Sequence, residues 1–148
     1  MKAVWMLFAK KKRLIERILL VEDEPLEAFD TEHFLNGEGF TIVATVDSVA
    51  EALAWIETDP DIDLVLLDVR LADGSGVDVA RTAKARGVEV LFVTGDCPAE
   101  ARTLAAGWLA KPYPQRDLLG AIVAVETLIG GKKPRKLPGS FNLFAGVA

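Results

Sequence analysis

The sequence is poorest in the residues that cross-link and coordinate: one cysteine, Cys97, and one histidine, His33, in 148 residues. A lone cysteine allows no internal disulfide, and one cysteine with one histidine cannot build a zinc cluster. There is no Gly-x-x-x-x-Gly-Lys loop of the kind that cradles nucleotide phosphates. Long apolar runs are missing as well. The run Ala3–Ala9 has seven residues, far short of the roughly 20 needed to cross a bilayer. It ends in Lys10-Lys11-Lys12-Arg13 instead of a small-residue cleavage site. These absences predict a cytoplasmic, zinc-free protein without a membrane span. The competing reading of the run is an interfacial anchor, with Trp5, Leu7 and Phe8 entering lipid.

What is present is an uneven distribution of charge. Against a net charge of -5, residues 1–17 hold six bases and one acid, and residues 130–148 hold four bases and no acid. The stretch 18–129 is left with seven bases and 21 acids, a net of -14. That acidic middle repels phosphates and argues against nucleic acid as a partner of the basic ends. With 51% apolar residues, a chain of this length buries one core. The expected division is a basic extension over 1–16, one domain over 17–129 and a basic, aromatic segment over 130–148. That last segment is either flexible or docked through Phe141, Leu143 and Phe144, on this subunit or on a neighbouring one, which leaves a homodimer open.

From Arg17 onward short apolar runs alternate with helix-like segments five times. The runs are Ile18–Val21, Thr41–Val46, Leu64–Leu67, Val88–Val93 and Trp108–Ala110. Runs apolar at successive positions suit strands buried on both faces of a parallel sheet. Helices are expected from Pro25 in a first turn with Gly37 just past the end, over Ser48–Thr58 with Ser48 and Glu51 as a capping box, and over Ser75–Arg86, Pro98–Ala106 and Gln115–Leu128. The predicted class is α/β, a doubly wound five-stranded parallel sheet of (βα)5 order. Ligands of such sheets bind at the carboxyl ends of the strands. At those ends stand Glu22 and Asp23, Asp68, Thr94 and Lys111. Clustered carboxylates repel unless a cation neutralises them, and Mg²⁺ suits a few carboxylates, waters and a phosphate. A carboxylate beside such an ion can act as a nucleophile towards phosphorus, with Lys111 and Thr94 stabilising the phosphoryl oxygens. His33, alone on an acidic helix, reads as a surface residue.

Four motifs in order carry a family resemblance: Ile18-Leu19-Leu20-Val21-Glu22-Asp23-Glu24-Pro25, Leu66-Leu67-Asp68-Val69-Arg70-Leu71-Ala72-Asp73-Gly74-Ser75-Gly76, Phe92-Val93-Thr94-Gly95 and Ala110-Lys111-Pro112-Tyr113. Over about residues 17–129 the chain resembles the receiver domain of bacterial two-component response regulators, a flavodoxin-like fold. The resemblance implies that Asp68 accepts a phosphoryl group from a histidine kinase or phosphotransfer protein. It implies that Glu22, Asp23, Asp68 and the backbone carbonyl of Arg70 serve Mg²⁺. Thr94 and Lys111 would bind the phosphoryl oxygens, and Trp108, three residues before Lys111, would be an aromatic switch residue reporting to an unknown downstream protein. With about twenty residues after Leu128, the expectation is a single-domain regulator signalling by protein contacts, or a sink or shuttle in a relay. It would be no enzyme beyond taking and slowly losing its own phosphoryl group. A phosphorylation-independent binding module is the alternative; an aspartyl-phosphate hydrolase fits less well, because Arg70 stands where an Asp-x-Asp motif needs its second acid. The chain departs from the family at Ala72, where proline is usual, and at Gly95, where alanine is common. Its Thr94–Lys111 stretch is about one helical turn short, so the fourth helix should be short or irregular. The Phe92–Gly95 run is similar to that of a subset of alphaproteobacterial-type single-domain regulators.

Overall fold

The computed structural model describes residues 13–144, so the reading of Trp5, Leu7 and Phe8 as an anchor lies outside the described residues. Strands and helices alternate as β1 (Arg17–Val21), α1 (Pro25–Gly37), β2 (Thr41–Val46), α2 (Val49–Thr58) and β3 (Leu64–Leu67). A two-residue hairpin follows, β4 (Arg70–Leu71) with β5 (Gly74–Ser75), and leads into α3 (Gly76–Ala85). The chain continues through β6 (Glu89–Thr94), α4 (Ala101–Leu104), β7 (Gly107–Ala110) and α5 (Gln115–Ile129) to β8 (Phe141–Leu143). The main sheet has the order β2-β1-β3-β6-β7-β8, with every neighbouring pair parallel except β7 and β8. The expected five-stranded parallel sheet is therefore present and extended by one antiparallel strand drawn from the segment after α5.

Period-two alternation along the strands sends successive side chains to opposite faces. Ile18, Leu20, Leu64 and Leu66 pack with Leu35 of α1 and with Leu118, Ile122 and Val125 of α5. Leu19, Val21, Val65 and Leu67 pack with Ile56 of α2 and with Val79, Ala80 and Ala83 of α3. Helices thus cover both faces, which is why β1 and β3 tolerate apolar residues at every position.

Helix ends follow their local signals. The Ser48 hydroxyl accepts from Glu51 N–H at 3.1 Å and donates to the Glu51 carboxylate at 3.2 Å, the expected capping box. Pro25 lies in the first turn of α1, and Gly37 is the last helical residue instead of the first one past it; the left-handed turn falls on Gly39, with φ +90°. The fourth helix is short, as its spacing implied. Only Ala101–Leu104 is helical, not Pro98–Ala106, and Ala99 and Ala105 offer no large side chain to anchor more turns.

The described residues of both flanking segments make contacts with the domain. Ile15 is fully buried on the α1/α5 face, and the Leu14 and Ile15 N–H groups donate to the Glu126 carboxylate at 2.7 and 2.9 Å. At the other end Phe141 and Phe144 are each 5% exposed; burying one such ring contributes roughly 1.5–3 kcal/mol.

Candidate functional site

The strand order reverses between β1 and β3, which leaves a crevice at their carboxyl ends. The sheet ladder runs on into that crevice and fixes the backbone of its carboxylates. Glu22 N–H donates to Val46 O at 2.9 Å, and Asp68 N–H donates to Val21 O at 3.0 Å. Behind Asp68, Gly76 opens α3 with its N–H on Val69 O at 2.7 Å. A Cβ at Gly76 would collide with the Asp68 carbonyl oxygen, so only glycine lets α3 start so close to the Asp68 loop.

Glu22, Asp23 and Asp68 come together with a carboxylate oxygen of each within 4.8 Å of the others. Glu22 and Asp68 are buried and Asp23 is exposed. Lys111, just past β7, reaches across: its Nζ lies 2.6 Å from Glu22 Oε1, 3.0 Å from Asp68 Oδ2 and 3.3 Å from Glu27 Oε1. Lys111 N–H is held on Thr94 O at 3.0 Å. Burial raises the Glu22 carboxyl to about 7, against the lowering effect of Lys111 and of the Glu24 N–H. Burial also pushes Asp68 up, but hydrogen bonds and charge from Lys111 outweigh it and leave Asp68 below the ordinary aspartate value. Lys111 is raised: burial disfavours its charge, and contacts with Glu22 and Asp68 more than restore it. The site therefore keeps its ammonium charged and Asp68 ionised.

Asp23, Asp68, Arg70, Thr94, Asp96 and Cys97 border one open cleft of about 860 Å³. Hard oxygen donors gathered at a cleft mouth fit a small divalent cation such as Mg²⁺; Glu22, Asp23 and Asp68 would hold it, with Arg70 at the rim. Thr94 is buried, its hydroxyl donating weakly to Asp96 O at 3.4 Å. Trp108 is half-buried, its indole N–H donating to Thr94 O at 2.9 Å. Thr94 O thus accepts from both Lys111 and Trp108, which joins these three residues through one carbonyl. His33 is exposed and stacks on Phe29 with ring centroids 6.1 Å apart, a surface position as expected.

Three neighbours of the site escaped the reading of the sequence. Glu27 was signalled only by its place in the first turn of α1, a frequent position for an acid. Gly76 looked like one more turn glycine. Cys97 borders the cleft, and burial raises its thiol.

Over residues 18–123 the sequence matches the response regulator receiver domain family. The chain belongs to this family. Among relatives of this receiver domain, the cell cycle transcriptional regulator CtrA of Caulobacter vibrioides is 31% identical over 116 residues, which is 74% of this chain and 49% of that protein. The phyllosphere-induced regulator PhyR of Methylorubrum extorquens is 37% identical over 105 residues, 70% of this chain and 33% of that protein. The chain thus spans about half the length of the first of these relatives and a third of the second. A CheY-like receiver domain protein from Methanospirillum hungatei superposes with a TM-score of 0.71 at 27% identity, covering 79% of this chain and 98% of that one. A receiver protein from Sinorhizobium medicae does so with a TM-score of 0.65 at 27% identity, covering 74% and 92%. The family match ends before β8, so the sixth strand lies outside it. Among the described residues no helix is long and apolar enough to cross a membrane.

Proposed function

We propose that this receiver domain accepts a phosphoryl group on Asp68 in a two-component relay and passes the signal on through protein contacts. The supporting observation is the convergence of Glu22, Asp23 and Asp68 within 4.8 Å, with Lys111 Nζ 3.0 Å from Asp68. Asp68, held below the ordinary aspartate value, borders an open cleft. Transfer from a donor phosphohistidine breaks a nitrogen–phosphorus bond, leaves the electron pair on the imidazole and forms an oxygen–phosphorus bond at Asp68. A Mg²⁺ held by Glu22, Asp23 and Asp68, with the Arg70 carbonyl, would supply charge neutralisation for the phosphoryl oxygens. Lys111, already tethered to Asp68, exchanges a carboxylate for a phosphoryl oxygen with little movement. Thr94, at the end of β6, presents a hydroxyl to the same cleft.

The donor is a histidine kinase or phosphotransfer protein, and the receiver itself catalyses nothing beyond its own phosphoryl exchange. Trp108 carries the change outward, because its indole holds the carbonyl of the residue whose hydroxyl would turn to the phosphoryl group. Incubation with acetyl phosphate and Mg²⁺ should add the mass of one phosphoryl group to the intact chain, and Asp68→Asn should abolish it. A modification that survives Asp68→Asn would falsify the reading by placing the acceptor elsewhere, and no modification of the native chain would favour a phosphorylation-independent binding module.

A further inference from the structure

The edge of β7, open in a sheet that ends at its fifth parallel strand, is closed here by the chain itself. β8 runs antiparallel to β7 with Trp108 opposite Asn142 and Leu109 opposite Phe141. Ala110 N–H donates to Ser140 O and Phe144 N–H to Ala106 O, both at 2.9 Å. Three side chains anchor this segment in three recesses. The Phe141 ring lies over Gly107, where an added Cβ would come 2.5 Å from a ring carbon. Pro138 lies over Gly120, where an added Cβ would come 2.7 Å from the proline ring. Phe144 is buried on the opposite face of the sheet from Phe141, with the Arg102 guanidinium 5.4 Å from its ring centre. Two glycines, one in a strand and one in a helix, thus leave space shaped to this segment.

The segment is held by those anchors and by little before them. From Gly130 to Leu137 no residue is buried, and the stretch carries Lys132, Lys133, Arg135 and Lys136. An anchored strand at the end of an exposed, basic tether has the layout of a peptide ligand joined to its receptor. Strand addition to a sheet edge is a general mode of peptide recognition, with main-chain bonds giving affinity and alternate side-chain recesses giving specificity.

We propose that the β7 edge is a peptide-binding groove, and that Pro138–Phe144 is its resident ligand in cis. The partner it fits is a protein presenting an extended segment antiparallel to β7, with two aromatic side chains three residues apart and a proline three residues before the first. Such a segment must displace a tethered competitor whose effective concentration is on the order of millimolar, so the groove is self-inhibited. The groove stands independently of phosphorylation at Asp68.

The test uses full-length chains and a fluorescent synthetic peptide, Lys136–Phe144, as the partner's surrogate. Phe141→Ser/Phe144→Ser should unfold cooperatively in urea and bind the peptide saturably, at least about tenfold more tightly than the native chain, whose groove is filled. Adding Gly120→Leu to that double variant fills the Pro138 recess without opposing the helix, and should weaken binding by about tenfold. The proposal is overturned by a folded double variant that does not bind, by equal binding to the native chain, or by binding indifferent to Gly120→Leu. It is also overturned by a double variant that does not fold, since β8 would then be part of the core. Concentration-dependent dimers of the native chain that the double variant does not form would assign the groove to a second copy and overturn the partner-protein reading. Phosphoryl uptake by the same variants is measured in parallel, so failure of the groove and failure of Asp68 as acceptor are told apart.

Discussion

Among the described residues, Lys111 is the one cation that touches Glu22, Glu27 and Asp68. Two of those carboxylates are buried, and a buried charge left without its partner is strongly destabilising. The ammonium therefore serves the folded state before any phosphoryl group arrives. A second acid, Asp73, works by a different route. Its carboxylate accepts from Val49 N–H at 2.6 Å and Ala50 N–H at 3.1 Å, at the start of α2. Those two bonds hold Asp73 below the ordinary aspartate value of 3.8. A carboxylate lowered by folding contributes stability that is present above its unfolded value and lost as the pH falls through its folded value. Asp73→Ala should therefore be less stable than the native chain at neutral pH, and the gap should narrow as the pH drops below 3.8. Urea transitions at neutral, mildly acidic and strongly acidic pH check this; a gap that stays constant to the lowest pH at which both chains fold would show that the charge on Asp73 is not what matters.

Elements differ in how far their residues announce them. β1 and β3 were legible because Ile18–Val21 and Leu64–Leu67 are apolar without interruption, and that pattern has few uses besides a strand covered on both faces. The site was legible for the same reason: the rule for strand ends placed Glu22, Asp23, Asp68, Thr94 and Lys111 together once the strands were known. β8 was legible only as aromatics available for docking, because Phe141-Asn142-Leu143 is too short for periodicity and follows Pro138 and Gly139. Its strand character comes from β7's unpaired edge, a tertiary fact. Glu27 was hidden similarly, since its partner Lys111 is distant in sequence. The start of α3 shows how one element can govern the site. An added Cβ at Gly76 meets only main chain, including Asp68 C at 3.0 Å and Val69 Cα at 3.1 Å, and main chain cannot rotate away. Gly76→Ala should lower stability by about 1–3 kcal/mol and slow phosphoryl uptake by displacing Asp68. Gly95 borders the same cleft with nothing within 4 Å of an added Cβ. Gly95→Ala, which restores the commoner residue, should change stability by no more than about 0.5 kcal/mol. Equal losses in the two variants would show that cleft flexibility, not steric contact, decides.

At the scale of the whole molecule, the described residues of both flanking segments fasten to the domain, and α5 is where they meet. Four successive amides before and at the start of β1 are captured by two carboxylates. Glu126 on α5 takes Leu14 and Ile15 N–H at 2.7 and 2.9 Å, and Asp63 takes Glu16 and Arg17 N–H at 3.0 and 2.9 Å. Beside them Arg13 donates to Glu38 O at 2.8 Å and lies 4.3 Å above the Phe40 ring. Past the end of α5, Lys132 N–H returns to Thr127 O at 3.0 Å, and the chain then runs back to Pro138 over Gly120. Residues 13–17 and the anchors Pro138, Phe141 and Phe144 are thereby fastened to the domain, while Lys132, Lys133, Arg135 and Lys136 between α5 and those anchors stay exposed. Glu126→Ala removes an acceptor from two amides, one of them on fully buried Ile15, and an amide left without a partner costs about 1–3 kcal/mol. The urea midpoint should fall with little change in slope, and amide exchange at Leu14 and Ile15 should speed up. Glu126→Gln keeps a carbonyl oxygen in place and should lose less. β8, held by its own anchors on β7, should keep its amide protection in both variants. Loss of β8 protection in Glu126→Ala would mean instead that the two segments are fastened to α5 as one cooperative unit.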